Sequence, residues 1–201
     1  MEAAIVTRDP DQTRARILEA AHDLFVAHGM AAVTVRQIAE RSGVTKSLIH
    51  HYFGSKEGLW NEVKEQTFAL YAEQQRAVLA SDESAGPELM QRAITHYFKF
   101  LQQHPDVVRL FAWTHLEGDS ACSRQDGELI KLATERVREA QQRGLFRSDV
   151  NPGHAVAVFV IACTQWFESR SHHRHWPGIG SDAEFLEDFL KLFFEGLKPN
   201  S

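Results

Sequence analysis

A chain of 201 residues, 43% hydrophobic and 24% charged with 12 glycines and 6 prolines, has an ordinary globular composition and the length to bury a core without staples. Its net charge of −5 argues against a uniformly basic nucleic-acid coat but leaves local patches open. Cys122 and Cys163 are its two cysteines, without CxxC spacing, which argues against a disulfide framework and a cysteine zinc site and makes a reducing cytoplasm the expected compartment.

Residues Met1 to Arg8 lack the basic and apolar regions of a signal peptide, so secretion is not expected. Ile17, Ala21, Leu24, Phe25 and His28 then trace one face of a first helix, from about Asp11 to a stop at Gly29. Thr34 opens a second helix with Gln37 completing a capping box, and Ser42-Gly43 closes it. Thr45 caps a short third helix to about Tyr52. Ser55 caps a long fourth helix, with Glu57 near its positive end and no breaker until Ser81–Pro87.

Pro87 suits a first helical position, and Met90, Ala93, Ile94, Tyr97, Phe98 and Leu101 form a stripe that Pro105 is expected to stop. A short helix from Asp106 to about Leu116, a loop over Glu117–Gly127, and a helix through Leu129, Leu132, Ala133, Val137 and Ala140 closed by Gly144 come next. Asn151-Pro152 restarts the chain. Ala155–Phe167 is apolar nearly all round; its longest apolar run, Ala155–Cys163, falls far short of the roughly 20 residues that cross a bilayer, so no membrane partner is expected. The last helix, Asp182–Leu197, carries two stripes: Phe185, Phe189, Leu192 and Gly196 on one, Leu186, Leu190, Phe193 and Leu197 on the other. Two stripes on one terminal helix imply a partner, and the expected homodimer interface comprises Phe159, Cys163, Phe167, Phe185, Phe189, Leu192 and Gly196.

No strand-like alternation persists, so the class is all-α, with about nine helices. Between Thr34 and Lys56 lie Arg36, Arg41, Lys46 and Lys56 against the single acid Glu40, a local net charge of +3. The same segment has the parts of a helix-turn-helix: Ala39 for close helix crossing, Gly43 for the turn, and Ile38, Val44, Ile49 and Phe53 for a shared core. Thr45, Lys46, Ser47, His50 and His51 are left to face the major groove.

On these residues, and on His51-Tyr52-Phe53-Gly54-Ser55-Lys56-Glu57-Gly58-Leu59 after them, the sequence resembles the TetR family of one-component transcriptional regulators. Ser47 and His50 stand where members often carry Gly and Tyr. The resemblance implies a helix-turn-helix domain over residues 1–54 and an effector-binding and dimerisation domain over 55–201, acting as a repressor released from a palindromic double-stranded DNA operator. Thr34, Arg36 and Lys56 look like phosphate anchors, Lys46 a base reader and Tyr52 a support. The effector pocket implied for a small, mainly apolar ligand draws on Phe68, Tyr71, Tyr97, Phe98, Trp113, Thr114, Glu117 and Trp166. A DNA-binding dimer without an effector is the alternative. Enzyme fingerprints such as HExxH, GxSxG and the P-loop are missing, no cofactor is implied, and His172-His173-Arg174-His175 is expected to be an exposed loop rather than a metal site.

Overall fold

The computed structural model describes residues 9–81, 85–119 and 124–199, and these form ten helices: α1 (Pro10–Ala32), α2 (Val35–Ser42), α3 (Lys46–Phe53), α4 (Lys56–Leu79), α5 (Pro87–Gln103), α6 (Pro105–Leu116), α7 (Arg124–Gln142), α8 (Pro152–Glu168), α9 (Arg170–His173) and α10 (Asp182–Leu197). No strand occurs among the described residues, and no helix among them is long and apolar enough to cross a membrane. Cys122 lies outside the described residues.

The capping chemistry sets most boundaries. Thr34 and Gln37 form the reciprocal box at α2, Gly43 ends it in the left-handed conformation (φ 68°), and Asn151 accepts from the Gly153 and His154 amides at α8. Ser181 and Glu184 form a second box at α10. Three expectations are corrected. Pro105 begins α6 as well as ending α5, because a first helical position needs no amide hydrogen. The expected loop to Gly127 is helical from Arg124. Within His172–His175, expected as an exposed loop, His172, Arg174 and His175 are exposed, but α9 runs to His173, whose ring is buried against Trp166 at 4.0 Å.

The chain divides into two compact units, Met1–Thr67 with Leu110–Ala121 and Phe68–Arg109 with Cys122–Ser201. The first unit is built on Ile17, Phe25, Ile38, Ile49, Leu59, Trp60 and Leu110, with Phe25 edge-on to Trp60 at 5.2 Å. Its helix α1 breaks at Gly29, where φ is 77° and ψ 167°. In the second unit α8 packs against α5 and α7, and α5 against α10. Its buried residues include Leu79, Ile94, Phe98, Val137, Val156 and Cys163.

Candidate nucleic-acid interface

The shared core holds α2 and α3 at a fixed crossing: Ile38 and Ile49 are 0% and 1% exposed, and Val44, Tyr52 and Phe53 pack around them. The turn between them is tied from α1, since Arg16 donates to the Ser42 carbonyl and Arg41 pairs with Asp23. That core leaves Thr45, Lys46, Ser47, His50 and His51 exposed along α3. Thr45 spends its hydroxyl on the Leu48 amide and lies 3.0 Å from Ser47 Oγ, while His50 Nδ1 lies 3.0 Å from the Gly54 carbonyl at the helix end. Lys46 makes no hydrogen bond or ion pair with any described residue, and it is exposed in the first turn of α3.

The segment's other cations are engaged. Arg36 pairs with Glu40 at 2.8 Å, but both side chains are more than half exposed (73% and 62%), so the pair is weak and exchangeable for a phosphate. Lys56, expected as a phosphate anchor, instead donates to the carbonyls of Met30 and Val33, each at 2.9 Å, and of Ala31 at 3.4 Å. An ammonium has three donors, and those carbonyls at the end of α1 account for them. Lys56 therefore braces the link into α2.

The residues expected to form one effector pocket fall in both units. Trp113, Thr114 and Glu117 are in the first: Trp113 donates from its indole to the Val26 carbonyl at 3.1 Å, Thr114 Oγ1 to the Leu110 carbonyl at 2.8 Å, and Glu117 accepts the Ala31 amide at 2.9 Å. Sequence periodicity gave no sign that the end of α6 supports α1. Phe68, Tyr71, Tyr97, Phe98 and Trp166 are in the second unit. Tyr71 sits 4.6 Å from Phe100 and 5.3 Å from Tyr97, whose hydroxyl meets Thr164 Oγ1 at 2.7 Å. Beside them Tyr71, Gln75, Tyr97, Leu129 and Phe159 enclose a cavity of about 30 Å³, enough for one water. Phe98 packs against Phe167 and Phe185, and Trp166 stacks on Phe185 at 3.8 Å.

Gln75 carried no signal in the sequence because it stands in the polar run Glu73-Gln74-Gln75-Arg76, which reads as surface. It is 3% exposed; its Nε2 donates to the Ala93 carbonyl, which fixes its Oε1 toward His96 Nδ1 at 2.6 Å. Burial holds the His96 imidazole below its ordinary pKa of 6.5. A depressed folded-state value means the unfolded chain binds the proton more readily, so His96 opposes folding as pH falls through that range. The melting temperature is expected to drop less between pH 7 and pH 5 in His96→Gln than in the unmodified protein, and parallel pH profiles would overturn this.

The expected dimer residues divide by burial. Phe159 and Cys163 are core, 4% and 0% exposed, with Phe159 edge-on to Phe193 and the Cys163 thiol pushed by burial up to about 12. Phe167, Phe185 and Phe189 are half-buried, whereas Leu192 and Gly196 are exposed. The outward apolar residues of α8 are Val158 and Ile161. The pairs Trp166–Phe185 and Phe159–Phe193 show α8 and α10 antiparallel, which sets Val158 and Ile161 at the level of Leu192.

Comparison with known proteins identifies this architecture. A model of bacterial regulatory proteins of the tetR family matches residues 17–63, and one of the tetracyclin repressor-like C-terminal domain matches residues 90–184. The HTH-type transcriptional repressor SCO4008 of Streptomyces coelicolor is 30% identical over 167 residues, 81% of each chain. The chain belongs to the tetR family of bacterial regulatory proteins. The HTH-type transcriptional repressor NicS of Pseudomonas putida is 26% identical over 210 residues, 98% of each chain. FadR from Bacillus subtilis, solved in complex with stearoyl-CoA, shares the fold with a TM-score of 0.71 at 17% identity, covering 92% of this chain and 99% of that one. This tetR-family chain is thus a DNA-binding transcriptional regulator, and α2 and α3 lie within the matched N-terminal segment.

Proposed function

We propose that this tetR-family protein is a dimeric repressor that reads a palindromic operator through α3 and leaves it when a small, mainly apolar molecule binds the second unit. The observation that carries the reading is the unengaged Lys46 ammonium beside exposed Thr45, Ser47, His50 and His51 on a helix locked by capping and core. A lysine in the first turn of a recognition helix can donate to guanine O6 and N7. Arg36 and Thr34, at the start of α2, suit phosphate contacts, and a protein that acts on operators works in the cytoplasm.

Two copies bound to one operator place their α3 helices roughly 34–36 Å apart, in successive major grooves. Lys46→Ala is expected to cost about 1–3 kcal/mol on the preferred site and to relax preference at one position per half-site. Arg36→Ala should weaken binding evenly across sequences and lower the salt slope by about one per half-site. Selection from a random DNA library followed by anisotropy titration checks both; equal binding of all sequences by the unmodified protein refutes the reading.

Support for the dimer is the apolar surface of Val158, Ile161 and Leu192, which are 53%, 64% and 74% exposed. Support for an effector is the aromatic cavity around Tyr71 and Tyr97, with Gln75 as a fixed polar group in its lining. At about 30 Å³ the cavity admits no drug-sized molecule, so binding requires Tyr71, Tyr97 or Phe159 to change rotamer, and the ligand acts by preferring that opened state. The stearoyl-CoA held by Bacillus subtilis FadR fits an apolar class of ligand. A coupling of about 1–3 kcal/mol lowers operator affinity roughly 5–150-fold. Metabolites that raise the melting temperature are expected to release operator DNA; ligands that bind near Tyr71 and leave DNA affinity unchanged overturn the coupling.

A further inference from the structure

The turn from α2 to α3 is held differently on its two sides. On one, Val44 packs against the apolar core of the first unit. On the other lies a cleft of about 430 Å³ between α1 and the end of α2, lined by Arg16, Glu19 and Asp23 of the first helix and by Glu40, Arg41 and Gly43 among others. Two charged ties cross that cleft: Arg16 Nη2 donates to the Ser42 carbonyl, and Arg41 Nη2 donates to Asp23 Oδ2. Arg16 and Asp23 are two helical turns apart on one face of α1. Ser42 is the last residue of α2, so its carbonyl has no acceptor role inside the helix, and the guanidinium meets it at the negative end of the helix dipole. A Cβ on Gly43 would stand 2.9 Å from Arg16 Nη2, which shows how closely the guanidinium lies against the turn. Asp23 is 45% exposed and has only the His22 ring, at 3.6 Å, as a further ionic neighbour.

The far end of α3 is held separately. Arg14 lies 5.4 Å over the ring of Phe53, the last residue of α3, and pairs with Glu62 of α4 at 2.5 Å. Ile49, in the middle, is in the core. Losing a tie at the turn therefore frees the start of the helix while its middle and end stay in place. With eight residues α3 is about 12 Å long, and Lys46, its first residue and three positions past Gly43, is displaced most.

We infer that Arg16 and Asp23 are positioning residues for base reading: through the turn, they hold the start of α3 so that Lys46 meets its base in register. The inference rests on the reading of α3 as the helix that enters the major groove. A hydrogen bond to a base edge weakens steeply when misaligned, whereas attraction to phosphates tolerates small shifts and carries no sequence information. Loosening the turn therefore lowers preference for the operator more than it lowers binding to DNA in general. The sign of the Asp23 charge separates this role from a direct electrostatic one. Were the carboxylate acting only as a charge near DNA, its removal would strengthen binding to every sequence; as a tie, its removal weakens binding to the operator.

The test is anisotropy titration of the full chain, at one ionic strength, on the site that the unmodified protein selects from a random library and on random-sequence DNA. Asp23→Ala is expected to lower the ratio of the two affinities roughly tenfold, the scale of one base contact, while random-sequence DNA binds as tightly as before or more tightly. Arg16→Met should lower the ratio by a similar factor, and Arg16→Lys, which keeps a donor for the Ser42 carbonyl, should restore most of it. In a Lys46→Ala background neither change should alter the ratio further, because the contact that they align is already gone. A ratio unchanged in both single variants, a loss that falls equally on the two DNAs, or effects that add in full to Lys46→Ala overturns the inference. An unmodified protein that prefers no sequence overturns instead the reading of α3 on which it rests.

Discussion

A protein carrying Ile161→Asp and Leu192→Asp is expected to sediment as a folded monomer and to lose roughly 10²–10⁴-fold in operator affinity, the avidity that two linked reading heads supply. At 64% and 74% exposure in the single chain, these positions accept a carboxylate with little cost to folding. Covered by a second copy, the same carboxylates become buried like charges without partners, each costing several kcal/mol. Phe159→Asp is the contrasting case: that ring is 4% exposed and packed against Tyr97 and Phe193, so its replacement should unfold the second unit. Sedimentation at micromolar concentration, circular dichroism and operator anisotropy separate the outcomes. A double variant that remains a dimer with intact DNA affinity places the interface elsewhere.

The contrast also shows what sequence periodicity conveys. Capping residues act within a few positions, so Thr34, Gln37, Gly43, Thr45 and Asn151 marked their helix ends correctly. The face of α8 that turns outward was not legible, because Ala155–Phe167 is apolar on every side and every register buries hydrophobic surface. Burial by α5 and α7 selects Phe159 and Cys163 for the core and leaves Val158 and Ile161 outside. Charge was legible as a sum but not as an arrangement. The segment sums to +3, yet Lys56 is consumed by three carbonyls, Arg41 by Asp23 and Arg36 in part by Glu40. Long-range partners decided this, and nothing near Lys56 in the chain announces the carbonyls of residues 30–33. The exposed row Thr45, Lys46, Ser47, His50 and His51 was legible because α3 is short and capped, so helical spacing alone separates its faces.

Gly29→Ala is expected to lower the melting temperature of the first unit by roughly 5–20 °C, at about 2–4 °C per kcal/mol for a chain of this size. Two costs combine. With φ 77° and ψ 167°, residue 29 occupies a region that is essentially glycine's own, and holding a side-chain-bearing residue there costs about 1–3 kcal/mol. A Cβ at this point would lie 2.5 Å from Glu117 Oε1 and 2.8 Å from Trp113 Cε3, and such overpacking adds about 1–3 kcal/mol. Glu117 can swing aside only by releasing the Ala31 amide, and Trp113 is held by the Val26 carbonyl, so neither neighbour yields freely. The turn that follows Gly29 is also the one that Lys56 grips before α2 begins, so operator affinity should fall in step with the unfolding of this unit as temperature rises. Gly118→Ala is the control, since Gly118 has φ 65° with nothing within 4 Å of a Cβ. It carries a backbone cost of about 1–2 kcal/mol and no packing cost. The two variants read by thermal circular dichroism and tryptophan fluorescence separate packing from backbone. Equal shifts would mean that Trp113 and Glu117 do not confine residue 29, and that the end of α6 does not set the geometry from which α2 departs.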